Sequence, residues 1–332
     1  MNAPALVDDT ASRGASSAAA GVPAIEWPTV ALLATCIGGW LALTHLYGEV
    51  SLWVLAPSIA VALTLHSSVQ HEIVHGHPTR WSLFNRALGV VPLSLWIPFE
   101  RYRALHLVHH LNERLTDPFD DPESNYWTPD TWQALSRLER RMIGAQRTLL
   151  GRVAIGSWWR MGRFLRHEAA AFVRDEPGVR RAWIVHLLAA TPVVLWITVA
   201  CGMPLWLYVL VAVIPSNAIL LVRSFAEHRA RPGVRERTAI VENSWLLGPL
   251  FLFNNLHALH HEEPWLPWYR YHGRYRVVRD RLIADNGGLV YSTYFDVARR
   301  FLLRPYEELM HPTGRAPGRV GTGTPGVHAG YG

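Results

Sequence analysis

Four apolar stretches, each near the length that crosses a bilayer and arranged as two close pairs, limit this chain more than any other feature. Thr29 to Tyr47 is joined to Ser51 to Ser68 by a turn around Gly48 and Glu49, and Trp183 to Cys201 is joined to Pro204 to Val222 by Gly202 and Met203. A helix needs ~20 apolar residues to cross the hydrocarbon core, where every backbone N–H and C=O must bond within its own segment. Each pair is therefore expected to form a tight helical hairpin. Pro192 and Pro215 fall inside spans, where they kink a helix more readily than they exclude one. The expected fold class is all-α, a polytopic membrane protein with four transmembrane helices in two hairpins and a helical cap on the cytoplasmic side. Two weaker runs, Leu83 to Phe99 and Leu246 to Asn255, are broken by Pro92, Pro98 and Pro249 and are expected as interfacial or re-entrant segments.

Charge sets the expected orientation. Residues 101–182 carry 14 arginines and residues 223–315 another 14, whereas the two hairpin turns carry none. The positive-inside rule then puts both large loops, and both termini, on the cytoplasmic face. Half of the chain is apolar and only 17% is charged, which suits a membrane protein with substantial aqueous parts. With such apolar runs, the excess of six positive charges points to anionic lipid headgroups, and no nucleic-acid partner is expected. Trp27, Trp81 and Trp183 stand at the ends of apolar runs, as interfacial anchors do. Two cysteines, Cys36 and Cys201, at or near apolar segments, give no disulfide framework. Residues 1–26 lack the basic-then-apolar order of a signal peptide and are expected as a disordered lead, residues 27–312 as one membrane domain, and the Gly/Pro-rich residues 313–332 as a disordered tail.

Seventeen histidines are present, and eight fall in three short clusters: His71-Glu-Ile-Val-His75, His106-Leu-Val-His109-His110 and His257-Ala-Leu-His260-His261. Spacings of three and four residues bring side chains to one face of a helix about a turn apart. Imidazole is the usual neutral ligand of a transition metal, and a four-coordinate zinc would use only three or four of these, so the surplus implies more than one ion. All three clusters fall on one side of the membrane: just past the second span, in the central loop, and beyond the fourth. His45, His66, His167, His186, His272, His311 and His328 are isolated and expected as surface or satisfied core residues, although His66 and His186 lie within apolar spans, where polar groups tend to be functional. His71-Glu72-x-x-His75 alone matches the zinc-protease helix, but a protease leaves two clusters unexplained. A metal transporter, the non-enzyme alternative, places its ligands near the bilayer midplane rather than at the ends of the spans.

The three clusters, their order and the two hairpins resemble the integral-membrane fatty acid desaturase and hydroxylase superfamily over roughly residues 30–310. The text His75-Gly-His77-Pro-Thr-Arg80, Asp117-Pro-Phe-Asp-Asp-Pro122 and His261-Glu-Glu-Pro264-Trp-Leu-Pro267-Trp-Tyr is similar as well, most of all to short bacterial acyl-lipid members. The resemblance implies a non-haem centre of two iron ions held almost wholly by histidine, with a further histidine after the fourth span. His228, in Arg223-Ser-Phe-Ala-Glu-His-Arg229, stands at that place. The implied ligands are thus His71, His75, His106, His109, His110, His228, His257, His260 and His261. His77 is a lower-ranked tenth, six residues from His71 and followed by Pro78. Where some relatives have an asparagine holding a water on iron, this chain has Ser224. Carboxylates commonly accept the free imidazole N–H of a ligand. Glu72, Asp117, Asp121, Glu227 and Glu262 are the nearest in sequence, with a solvated interfacial face as the alternative for each, and Asn254 and Asn255 are candidates to orient the third cluster.

The implied reaction uses dioxygen as co-substrate and removes hydrogen from an unactivated C–H bond. Loss of a second hydrogen gives an alkene; return of a hydroxyl gives an alcohol. A fatty acyl chain on phospholipid or carrier is the first expected substrate. Carotenoid ketolation or hydroxylation, alkane hydroxylation and desaturation of a small amino-acid-derived molecule suit the same clusters. Iron is favoured over zinc because the ligand set is large and redox chemistry explains the membrane placement. The sequence shows no dinucleotide-binding glycine turn and no ferredoxin cysteine pattern, and fewer than 20 residues follow His311-Pro-Thr-Gly, too few for a fused haem domain. A separate electron donor, a ferredoxin or similar reductase, is therefore expected. The arginine-rich stretch Arg137 to Arg166 is a candidate surface for an acidic ferredoxin or for lipid headgroups. The expected location is a bacterial inner membrane.

Overall fold

The computed structural model describes residues 23–312. The lead expected over residues 1–26 lies outside it up to residue 22, as does the whole tail expected over residues 313–332. The described chain is mostly helical, and four of its helices are long and apolar enough to cross a membrane: Trp27–His45, Leu52–Val74, Val179–Ala200 and Leu205–Phe225, the first to fourth spans. The expected architecture of two hairpins is present, with shifted ends.

The second span shows why the ends shift. Its apolar run stops near Ser68, but the helix continues to Val74 because the polar residues that follow are satisfied inside the protein. Ser68 Oγ donates to Leu250 O at 2.9 Å and Gln70 Nε2 to Gly89 O at 2.7 Å, while Val69 and Ile73 stay buried. The third span starts earlier than its apolar run, at Val179, directly after Gly178 in a left-handed conformation (φ 80°), which turns the chain into the helix. Pro57 and Pro192 are carried inside helices. Five-residue π-turns at Trp196–Ala200 and Val209–Val213 lie beside Pro192 and Pro215, wide turns of the kind that accommodate backbone groups freed by proline.

On the first span the buried residues Thr29, Leu33, Cys36, Trp40 and Thr44 recur every three or four positions, so one stripe packs on the second span. Lipid is as apolar as leucine, so packing and hydrogen bonds rather than water exclusion must join the hairpins. Trp40 Nε1 donates to Tyr208 Oη at 2.9 Å, Tyr208 Oη donates to Leu93 O at 2.7 Å, and Trp196 Nε1 donates to Thr44 Oγ1 at 2.9 Å. Each such bond contributes about 0.6 kcal/mol in a membrane, enough together to select one pairing of the hairpins. Trp53, Leu188, Val199 and Trp206 face outward, giving the spans an apolar outer surface.

Beyond one end of the spans, further helices include Ser82–Gly89, Phe99–His109, Arg137–Ala145, Ser157–Val173, His257–Glu262, Tyr271–Asp285 and Tyr294–Phe301. A two-stranded parallel ribbon pairs Ile240 with Val290 and Val241 with Tyr291. Of the two interfacial runs, Leu83 to Phe99 contains most of one short helix and then irregular chain, and Leu246 to Asn255 contains the single turn Leu247–Leu250. Gly89 ends the first of these against Phe99, whose ring would stand 2.5 Å from any added Cβ. That close approach seats the start of the Phe99–His109 helix, which carries the second histidine cluster.

Candidate metal centre

Each histidine cluster lies on or at the end of a helix that is anchored elsewhere. His71 sits on the last turn of the second span and His75 just past it. His106 and His109 occupy the last turn of Phe99–His109, with His110 at its C-cap. The third cluster forms its own helix, His257–Glu262, and His228 follows the fourth span, held by an antiparallel bridge to Thr238. Six of these imidazoles are buried, while those of His75, His110 and His228 are half-buried.

The nine side chains converge as two groups. His71, His75, His106, His110 and His260 form one, and His109, His228, His257 and His261 the other; within each, one ring nitrogen per residue lies within 4.8 Å of all the rest. The groups abut where the rings of His110 and His261 stack at 4.3 Å and 12°. Both His-x-x-His-His clusters divide in the same way. The residues four apart (His106 and His110; His257 and His261) stay together, and the residue three along (His109; His260) goes to the other group.

The nitrogen chemistry fits metal ions. His109 Nδ1 meets Asp121 Oδ1 at 2.9 Å, His257 Nδ1 meets Asn254 Oδ1 at 3.0 Å, and His228 Nδ1 meets Arg237 O at 3.3 Å. These oxygens only accept, so the Nδ1 atoms donate, and the neutral rings of His228 and His257 present bare lone pairs at Nε2. Yet His228 Nε2 lies 3.0 Å from His109 Nε2 and 2.9 Å from His257 Nε2. Lone pairs at that separation repel unless a cation stands among them. The five-histidine group repeats the pattern: Nε2 atoms of His75, His106, His110 and His260 follow one another at 3.2, 3.0 and 3.1 Å. Imidazole nitrogens bonded at about 2.1 Å to one six-coordinate ion stand about 3.0 Å apart when adjacent. Nε2 of His71 is buried without a hydrogen-bond partner in the protein, beside its group.

Electrostatics set His109 apart from the other imidazoles of the two groups. Burial first, and a neighbouring imidazole second, hold His75, His110, His228, His257, His260 and His261 well below the ordinary imidazole pKa, so they are neutral ligands at pH 7. Burial also pulls His109 down, but Asp121 and Glu123 outweigh it and raise this imidazole to about 9. A field that retains a proton on His109 also favours a metal ion there. Glu123 is the matching acid: burial raises its carboxyl, while His109 and His106 together bring it below the usual range. It accepts from His106 Nδ1 at 2.8 Å.

The nearby acids sort differently from their order in sequence. Asp121 and Asn254 accept from imidazoles as described, and Glu227 Oε1 lies 3.5 Å from His257 Nδ1 while pairing with Arg223 at 2.9 Å. Four expected partners reach no cluster imidazole through their recorded bonds. Glu72 accepts from the Trp268 N–H, Asp117 caps the N–H groups of Phe119 and Asp120, and Asn255 Nδ2 donates to Val241 O. Glu262 pairs with Arg281 at the surface. Adjacent helix positions diverge by about 100°, so Glu72 and Glu262 cannot share the face of His71 and His261. His77 belongs to neither group; its Nδ1 meets Glu26 Oε1 at 2.6 Å, tying the start of the first span to the end of the second. Ser224 is buried, its hydroxyl without a protein partner. His186 Nε2 donates to Leu95 O at 2.8 Å while its Nδ1 is buried without a protein partner, and both ring nitrogens of the buried His66 lack one. His328 lies outside the described residues.

Three functional partners escape a reading of the sequence. Glu123 stands one residue past the Asp117-to-Pro122 text, and two carboxylates spaced by two in that loop were the available signal. Tyr271, whose hydroxyl meets His260 Nδ1 at 2.9 Å, and the carbonyl of Arg237 carry no local signal at all.

A family model described as fatty acid desaturase matches residues 48–295. No curated protein and no solved structure matches the chain.

Proposed function

The chain belongs to the fatty acid desaturase family, and on that premise we propose that it is a membrane-bound di-iron oxidoreductase that uses dioxygen to desaturate a fatty acyl chain. The observation that carries the reading is the pair of abutting all-imidazole groups at the ends of four apolar helices. His71, His75, His106, His110 and His260 would hold one iron, and His109, His228, His257 and His261 the other. Bound iron would supply the one-electron chemistry that lets dioxygen react with an unactivated C–H bond.

The chain's own residues do the rest. Burial keeps His75, His110, His228, His257, His260 and His261 neutral and available as ligands, while Asp121 and Glu123 supply negative charge beside His109. Asp121, Glu123, Asn254, Tyr271 and the Arg237 carbonyl fix the ring orientations from the Nδ1 side. Along the second span Leu55, Ile59 and Leu63 recur at the four-residue spacing that leads to His71, and all three are buried. This apolar stripe suits a hydrocarbon chain and excludes water from the carbon to be oxidised. Desaturation balances when the two hydrogens removed from the chain, with two electrons and two protons from outside, reduce one dioxygen to two waters. The two electrons come from a separate ferredoxin or similar reductase. Residues 27–312 act as one domain in a bacterial inner membrane, with the histidines and both termini on the cytoplasmic face, an orientation supported by the arginine bias of the two large loops.

The test is a lipid and metabolite profile of cells expressing wild type or His109→Ala, with metal content measured on the purified proteins. Near two irons per chain and an unsaturated acyl product present only with wild type is the expected result. An oxygenated product moves the activity to hydroxylation or ketolation, and a single zinc with no product overturns the reading.

A further inference from the structure

Apart from the histidines, the described residues enclose a cavity of about 60 Å³ whose wall carries four arginines: Arg147, Arg152, Arg160 and Arg163. It lies beside the C-terminal end of the fourth span, where Phe225 forms part of its wall. Arg152 is the informative member. It is 5% exposed, its Nε donates to the Gln146 carbonyl at 3.2 Å, its guanidinium lies over the Phe225 ring, and one terminal nitrogen is buried without a partner. A buried arginine ordinarily faces a carboxylate or phosphate, because an unmatched guanidinium is costly to desolvate. No ion pair involving Arg152 occurs among the described residues.

Three further guanidinium groups stand in the same wall. Arg147 spends one nitrogen on Glu308, and Arg160 donates to Gln146 and Asn125. Burial, then Arg152 and Arg163, push Arg160 well below the ordinary guanidinium value, against the opposing pull of Glu123. The carboxyl of Glu307 also lines the cavity, but the Tyr126 hydroxyl holds it and burial pushes it well above the usual carboxylate range, so it offers little compensating charge. The wall is fixed rather than adaptable. Arg152 opens a π-turn, Arg152–Gly156, and a Cβ on Gly156 would stand 3.2 Å from both Arg152 Cδ and Gln146 Oε1. Arg–oxyanion contacts are charge-assisted and directional, and the cavity has room for a tetrahedral or planar oxyanion.

We propose that this cavity is an oxyanion-binding site for a phosphate group, with Arg152 as its central ligand. A phosphate carried on a membrane lipid would be held beside the histidine centre, two residues along the chain from Glu123 at Asn125. That the phosphate is lipid-borne rests on the acyl-chain reading above; that the cavity takes an oxyanion does not.

The test uses the full-length, metal-loaded protein in neutral detergent, titrated calorimetrically with inorganic phosphate, with lysophosphatidic acid, and with the uncharged monoacylglycerol of the same chain. Expected is phosphate binding that weakens about tenfold or more in Arg152→Gln, the scale of one lost charge-assisted hydrogen bond. Arg147→Gln, a half-exposed member of the same wall, should weaken it in the same direction, and keeps the test decisive if Arg152→Gln does not fold. Lysophosphatidic acid that competes with phosphate, while monoacylglycerol does not, identifies a lipid headgroup; phosphate binding without such competition identifies the free ion. Wild-type protein that binds neither phosphate nor lysophosphatidic acid, or affinities indifferent to both substitutions, overturns the site. Because the readout is binding, it separates this proposal from the desaturase reading, which the product profile tests.

Discussion

The two histidine groups differ in how they are built. The five-histidine group hangs on three helix ends and has one more imidazole, but only His106 and His260 show an outer partner, Glu123 and Tyr271, and His110 Nδ1 is buried with none. In the four-histidine group His109, His257 and His228 are braced from the Nδ1 side, by Asp121, Asn254 and the Arg237 carbonyl. Neither scaffold is wholly helical: His75 and His110 of the five-histidine group lie on turns just past their helices, and His228 of the other lies on the bridge to Thr238. The lesson is that both groups take ligands from chain beyond helix ends, and the group with fewer ligands is the more fully braced by its surroundings.

The largest effects should come from removing a ligand from either group. His260→Ala and His257→Ala should each reduce product formation by more than about 100-fold, beyond the range reached when an orienting partner is lost. Each should also lower the metal content from near two ions per chain to near one. Retention of full metal and activity in either variant would break the division into two groups.

Next in size, replacing the outer carboxylates should separate the groups. Asp121→Asn and Glu123→Gln should each weaken metal binding or activity by about 10- to 100-fold. Titration with a chelator should strip metal in two phases, the four-histidine group first, because it has one ligand fewer. Asp121→Asn should then accelerate the first phase and Glu123→Gln the second; the reverse assignment would invert the comparison. Smaller again is Tyr271→Phe, which removes one hydroxyl from His260 and should cost about 1 kcal/mol, roughly fivefold in affinity at the five-histidine group. Glu262→Gln breaks only a surface pair with Arg281 and should change metal content and product by less than about twofold. A Glu262→Gln effect as large as that of Asp121→Asn would show that sequence adjacency to a cluster, rather than geometry, selects the supporting acids.

The spans and the eight clustered histidines were legible in sequence because both depend on local properties, apolar length and helical spacing; His228 was implied only by the family resemblance. Span ends were less so. Ser68 and Gln70 end an apolar run, yet their bonds to Leu250 and Gly89 carry the helix onward to Val74. The outer partners were legible only in part: Asp121 and Asn254 lie in the marked text, but Glu72 and Glu262, each next to a histidine, point elsewhere, and Tyr271 and Arg237 come from distant turns.

What the sequence by itself determined was that each cluster brings its imidazoles to one side of a helix about a turn apart, and that together they exceed the needs of one ion. Residues four apart on a helix differ by about 40° and the residue three along lies about 60° to the other side, a spread that allows one His-x-x-His-His cluster to serve two neighbouring places. What only the tertiary structure decided was which halves meet. His106 and His110 join His71, His75 and His260, while His257 and His261 join His109 and His228. No local rule contains that choice, because it depends on how three helix ends and one turn are brought together, and the packing of the spans and the bonds that tie them set those positions.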